Sequence, residues 1–425
     1  MGSVQRREQE RERGKSMITL RLALREFVDF ENALAAQIAA FRASHPEIAI
    51  EVVPMDLRTL YGELFTSGGL RSGKWNLATL VTDWLPDAIA SGAIEDLTSW
   101  MAADPIPEWP EGWPRSILQP LEFDGRYYCI PWHDGPECLI YRRDLFESAQ
   151  EQVRFKEAFG YELAPPRSWR AFEDVAHFFT RPGDNLWGTV FACYPDGHNT
   201  LYDFAIQVWS RGGELHDKGG RPTLATRQAE EALNFYRRMV RDPSACYPES
   251  ITIDSVRSGE AFLSGSIAMM VNWFGFGARS GRADSPLAGK VALAPIPSDE
   301  GFSPVSLSVF WGMAIASGST HKREAYEFLH FLTRPEMDRE MVRHGAVGVR
   351  LSTWRDAEVR RLSPAFASIE EISLGARRLP RSPSLPEFAE IVSSIAMRAL
   401  NSDVSSASIL ADAQRETEAR KISLR

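Results

Sequence analysis

Aromatic rings set beside planar polar groups recur along this 425-residue chain: Asp83 with Trp84, Trp132 with His133 and Asp134, Asn272 with Trp273 and Phe274. Trp209, Glu214, Trp311 and Arg350 extend the set. Such rings stack on flat apolar faces, and carboxylates, amides and guanidinium groups form hydrogen bonds of fixed geometry, so together they can hold a small molecule out of water. Two carboxylates such as Asp83 and Asp134 could also share acid and base roles in glycosidic hydrolysis, and His133 beside Asp134 invites a catalytic reading. Position along the chain does not give the separation of those carboxyl groups, so both chemistries stand at this point.

Other chemistries find less support. No G-x-S-x-G, H-E-x-x-H or P-loop run is present, and Gly275 to Gly281 is one residue too long for a dinucleotide fingerprint. Cys129, Cys138, Cys193 and Cys246 lack metal-ligand spacing and read as buried free thiols, with a Cys129–Cys138 disulfide left open should the protein be exported. Neither a metal nor a cofactor is expected. A formal net charge of −9 argues against nucleic acid as partner, and no apolar run reaches the ~18–20 residues of a spanning helix.

The elements that must position these residues follow from periodicity. Hydrophobic residues at 44% and charged residues at 25% belong to a folded globular chain, and the length exceeds one core, so two domains are expected. Residues 1–16, a mixed-charge tract without an apolar segment, read as a disordered tail and not as a signal peptide. A strand at 18–24, a helix at 31–42, a strand at 48–53, a helix at 57–70 and a strand at 77–82 form a β-α-β opening with a parallel sheet. Residues 105–120, dense in proline and tryptophan, read as a surface excursion. Helices are expected at 169–179, 201–210, 227–241, 253–263 and 322–332, strands at 189–193, 267–271, 291–295, 309–316 and 347–350, and a helical tail at 386–420.

Several stretches resemble a known family in the right order. Asp83-Trp84-Leu85-Pro86 ahead of Ser91-Gly92-Ala93-Ile94, Asp124 to Pro131, Leu139 to Phe146, Pro165 to Trp169, Gly212-Gly213-Glu214, Ser258 to Met269, Ala294 to Pro297 and Gly345 to Arg350 are similar to motifs of the extracytoplasmic solute-binding proteins of ABC importers. The likeness is to the carbohydrate branch, family 1, similar to maltose-binding protein. Arg142 stands where the family usually has Asn, and Gly348 where many relatives have Pro.

The resemblance implies a two-lobed α/β fold of the periplasmic-binding-protein type II, each lobe a mainly parallel sheet flanked by helices. Lobe one would be 17–134 plus 311–350, lobe two 135–310 plus 351–425, with the ligand at the hinge. It implies a non-enzymatic, monomeric protein outside the cytoplasm that closes on a small carbohydrate or polyol and delivers it to the membrane subunits of an ABC transporter. The expected ligand contacts are Asp83, Trp84, Trp132, His133, Asp134, Trp209, Glu214, Asn272, Trp273, Phe274, Trp311 and Arg350, with Arg350 suited to an anionic group. The alternatives are a cytoplasmic sensing or partner-binding module of the same fold, docking through Arg237, Arg238 and Arg241 or through Arg377, Arg378 and Arg381, and a carbohydrate-active hydrolase.

Overall fold

The computed structural model describes residues 17–425. Eight strands matter for the site: β1 (Ile18–Arg25), β2 (Ile48–Met55), β3 (Leu77–Val81), β4 (Ile130–His133), β5 (Glu137–Arg142), β6 (Met269–Trp273), β7 (Val291–Ala294) and β8 (Trp311–Ile315). The first sheet runs β2-β1-β3-β8-β4 and the second β6-β5-β7. β3, buried along its whole length, is the apolar run LATLV that a strand covered on both faces requires. The connection Asp134-Gly135-Pro136 carries the chain from β4 in the first sheet to β5 in the second, and the segment after Ala294 brings it back to β8.

Both sheets are less parallel than expected. β1 pairs in parallel with β2 and β3, but β8 is antiparallel to both β3 and β4. In the second sheet β5 pairs antiparallel with β6 and β7, so the expectation of a mainly parallel sheet in this lobe is corrected. The parallel part shrinks to isolated bridges, Trp187 with Ile267 and Thr189 with Cys246, where a strand at 189–193 was expected. The backbone there is drawn to side chains as well: Gly188 donates to Thr180 Oγ1 (2.9 Å) and Phe191 to Ser250 Oγ (3.1 Å). Gly188 also lies so close to the helix above it that a Cβ would meet the Ala176 carbonyl.

Helix Trp169–Phe179 begins where expected, with Ser168 Oγ accepting the Ala171 amide (3.2 Å). Residues 105–120 are not all excursion, because Arg115–Leu121 forms a helix with Pro120 in its last turn, and Trp113 is buried. The segment 347–350 forms no strand, since the amides of Val349 and Arg350 turn to the Asp338 carboxylate (2.8 and 3.0 Å). The tail is two helices, Leu385–Asn401 and Ser406–Ala419, broken at residues 402–405, where Ser405 caps the second helix. Both pack against helix Arg227–Arg241, while the helices at 322–332 and 335–343 pack against Val28–Ser44 beside the first sheet.

The two arginine clusters are bound up in the fold. Arg237 donates to the carbonyls of Ala399 and Val404, and Arg241 to those of Leu400 and Ser402, capping the end of Leu385–Asn401. Arg238 forks onto Glu173 (2.7 and 2.9 Å). Arg377 pairs with Glu214, and Arg381 donates to the carbonyl of Glu122 (2.7 Å). All four cysteines are buried and free, and no helix among the described residues is long and apolar enough to cross a membrane.

Candidate functional site

The two sheets face each other across a cleft lined by strand ends. Arg25 closes β1, Val81 closes β3, His133 closes β4, Trp273 closes β6 and Trp311 opens β8. Val81 and His133 are both register partners of Trp311, so antiparallel β8 places its first residue among the last residues of its neighbours. Phe27, Phe30 and Phe276 add apolar faces, and Asp29, Asp196, His198, Asn199, Tyr202, Asp254 and Ser255 complete the polar lining. The cleft leaves about 130 Å3 of space open to the centre of a water-sized sphere.

Arg25 is the cation of this cleft. Burial holds its guanidinium below the usual arginine range, offset by the carboxylates of Asp254, Asp56, Glu26 and Asp196. Its side chain forms neither a hydrogen bond nor an ion pair among the described residues, although Asp196 and Asp254 line the same space. Asp254 caps helix Ser255–Leu263 through one oxygen, which accepts the Arg257 amide (3.0 Å), and the other oxygen has no partner among the described residues. Asp196 accepts the amides of His198 (2.8 Å) and Asn199 (3.0 Å), fixing the loop that opens helix Asn199–Trp209. Asp29 lies in the first turn of Val28–Ser44; burial raises its carboxyl, and Arg279 at 3.9 Å opposes the shift.

His133 lines the cleft as a neutral ring. Its Nδ1 accepts the Val347 amide (3.0 Å), so the proton sits on Nε2, and burial drives the imidazole pKa down to about 3. Asp134, next in sequence, is 2% exposed with one oxygen unpaired, and burial lifts its carboxyl to about 7. No hydrogen bond joins these two side chains, and Asp134 is not among the residues lining the cleft.

A second compartment adjoins the first and shares Leu57, Asp196 and His198 with it. Asp83 and Trp84 line this outer space, together with residues of helix Leu385–Asn401. The Tyr202 hydroxyl donates to Asp83 Oδ2 (2.8 Å), and His198 Nε2 stands 3.5 Å from the same oxygen. Burial raises the Asp83 carboxyl, opposed by His198 and Tyr202. Trp84 meets His198 and Trp311 edge-on at 5.8 and 6.0 Å.

Of the residues expected from sequence, the structure therefore brings His133, Trp273 and Trp311 into the cleft, and Asp83 and Trp84 into the space beside it. The rest lie elsewhere. Trp132 points away and donates to Gln37 Oε1 (3.1 Å). Asn272 lies behind Trp273, holding Ser255 and Ser258 and accepting the Trp273 amide (2.7 Å). Phe274 is core, packed on Phe366. Trp209 and Glu214 sit by Arg377 in a different groove. Arg350 is fully buried, donating to the Thr333 carbonyl (2.8 Å), pairing with Glu108 and lying over Trp113 at 4.2 Å.

Sequence reading missed Arg25, Asp29, Asp196, His198, Asn199, Tyr202, Asp254 and Ser255. Arg25 carried a usable signal, a charge at the carboxyl end of an apolar strand, where ligands of α/β sheets bind. Asp196-Gly197-His198-Asn199 has the composition of a turn leading into a helix.

Known proteins share this fold. A solute-binding protein of an ABC transporter from Agrobacterium radiobacter in complex with ribitol superposes with a TM-score of 0.84 at 24% identity, covering 95% of this chain and 99% of that one. A maltose-bound T. maritima protein gives 0.82 at 20% identity, covering 95% and 100%. In sequence, the chain is 21% identical over 402 residues to the Mannitol-binding protein of Pseudomonas aeruginosa, 89% of this chain and 87% of that protein. It spans 64% and 66% of the length of the first curated relatives it matches. The family model described as bacterial extracellular solute-binding protein matches residues 27–338, and the chain belongs to that family.

Proposed function

We propose that this protein captures one uncharged polyol or monosaccharide unit in the cleft, closes over it without chemical change, and delivers it outside the cytoplasm to the membrane subunits of an ABC importer. Lobe one comprises 17–134 plus 311–350, and lobe two 135–310 plus 351–425. The observation that carries this reading is the gap between Arg25 and the pair Asp196 and Asp254. A hydroxyl accepts from a guanidinium and donates to a carboxylate at once, so vicinal hydroxyls bridge such a gap, whereas an anion would meet the two aspartates and a cation would meet Arg25. Trp273 and Trp311 supply rings for the C–H faces. The mannitol-binding relative and the ribitol-bound neighbour support a polyol, and the maltose-bound one a sugar.

Titration calorimetry against mannitol, ribitol, glucose, glucuronate, glucosamine and maltose, with chromatography of each mixture afterwards, tests the proposal. Saturable binding of a neutral member recovered unchanged supports it. Turnover of any member, or binding confined to the charged members, overturns it.

A further inference from the structure

We propose that the Tyr202–Asp83 hydrogen bond is a wall between the two compartments and limits the ligand to a single sugar or polyol unit. The inference rests on the functional reading above. Tyr202 lines the inner compartment and Asp83 the outer, so the 2.8 Å bond between them runs along the boundary. His198, which lines both spaces and lies 3.5 Å from the same carboxylate oxygen, thickens the boundary.

The wall is stiff because each half is held from behind. The Tyr202 ring meets Trp273 edge-on at 5.5 Å, and Trp84, next to Asp83, packs on Tyr61, Phe65 and Trp311. Both members are buried, and they come from opposite sides of the cleft: Asp83 follows β3 of the first sheet, and Tyr202 belongs to helix Asn199–Trp209. Closure of the two sides therefore makes the wall.

The volumes give the rule its content. The inner compartment is the smaller of the two, with about 130 Å3 open to the centre of a water-sized sphere. The outer compartment is larger, about 550 Å3 on the same measure, and offers Arg58, Tyr61, Trp84, Glu390 and Ser393 to a second unit. The Tyr202–Asp83 wall, with His198 beside it, stands between a unit bound inside and this second space.

The test compares dissociation constants of mannitol, glucose, maltose and maltotriose for the intact chain, Tyr202→Ser, Tyr202→Phe and Asp83→Ala. The intact chain should prefer single units, and Tyr202→Ser should narrow its preference over maltose by about tenfold or more, while Tyr202→Phe, which keeps the ring, should narrow it less. Should Tyr202→Ser fail to fold, Asp83→Ala removes the other half of the wall without touching the aromatic packing, and the same narrowing is expected. An intact chain that binds maltose as tightly as glucose, or folded wall variants that keep the full preference, would overturn the length rule alone. A panel in which nothing binds the intact chain overturns the functional reading and the rule with it.

Discussion

Replacing Arg25 with Ala separates ligand recognition from folding more cleanly than any other change in this cleft. The guanidinium makes no hydrogen bond or ion pair among the described residues, so its removal breaks none of their bonds, and the melting temperature should move little. A bound ligand loses one charge-assisted hydrogen bond, worth about 1.5–3 kcal/mol, which weakens binding by roughly ten- to 150-fold. Arg25→Lys keeps the charge but not the planar fork, so it should recover part of the affinity. Calorimetry with the tightest neutral member of the panel, beside thermal melts of all three chains, reads both quantities. An affinity within about threefold of the intact chain, or a fall in affinity matched by a collapse in melting temperature, would refute the assignment of Arg25 to the ligand.

Arg350→Ala should behave in the opposite way, losing about 2–3 kcal/mol of stability through its bonds to Thr333 and Glu108 while leaving ligand affinity unchanged. Denaturant unfolding and calorimetry on one sample decide it, and lost affinity with normal stability would return Arg350 to the ligand. Asp134 gives a pH prediction. Its carboxyl is raised from 3.8 to about 7 in the folded chain, so its contribution is full below the unfolded value and lost as pH rises through 7. Asp134→Asn should therefore gain on the intact chain between pH 5 and pH 8, and a constant difference in melting temperature across that range contradicts the burial argument. For the cysteines, burial pushes the Cys246 thiol up to about 12 and raises Cys129, Cys138 and Cys193 as well. Ellman's reagent at pH 8 should find none in the native protein and all four after denaturation, whereas two fewer would reveal the disulfide that the sequence left open.

The fold and the cleft were legible to different degrees. Runs such as LATLV at β3 and the Ser168 cap announce their elements, because burial and capping act over a few residues. Which face a strand residue takes is another matter. Side chains alternate along a strand, so His133 enters the cleft while Trp132 turns to Gln37, and Trp273 enters while Asn272 and Phe274 lie behind it. A motif therefore located the right strand end but could not choose between neighbours. Arg350 is the sharper case. Its charge and its place in a recognisable motif suggested a ligand contact, yet its partner Glu108 lies 242 positions earlier and only the fold brings the two together. The loop 196–199 and Asp254 were missed because polar residues that cap helices resemble any other turn until the opposite lobe is in place.

β8 lies in the middle of the first sheet, bonded to β3 on one side and β4 on the other, although it is made from residues 311–315. This sets an order in time. A ribosome adding ~5–20 residues per second leaves roughly ten to fifty seconds between the emergence of Val81 and that of Ile315. Throughout that interval β3 and β4 have no strand between them, and the first sheet cannot be completed. The second sheet, contained within residues 137–294, can form meanwhile. The half of the molecule that begins the chain is thus the half whose sheet is finished last, and the chain stays incompletely folded for most of its synthesis.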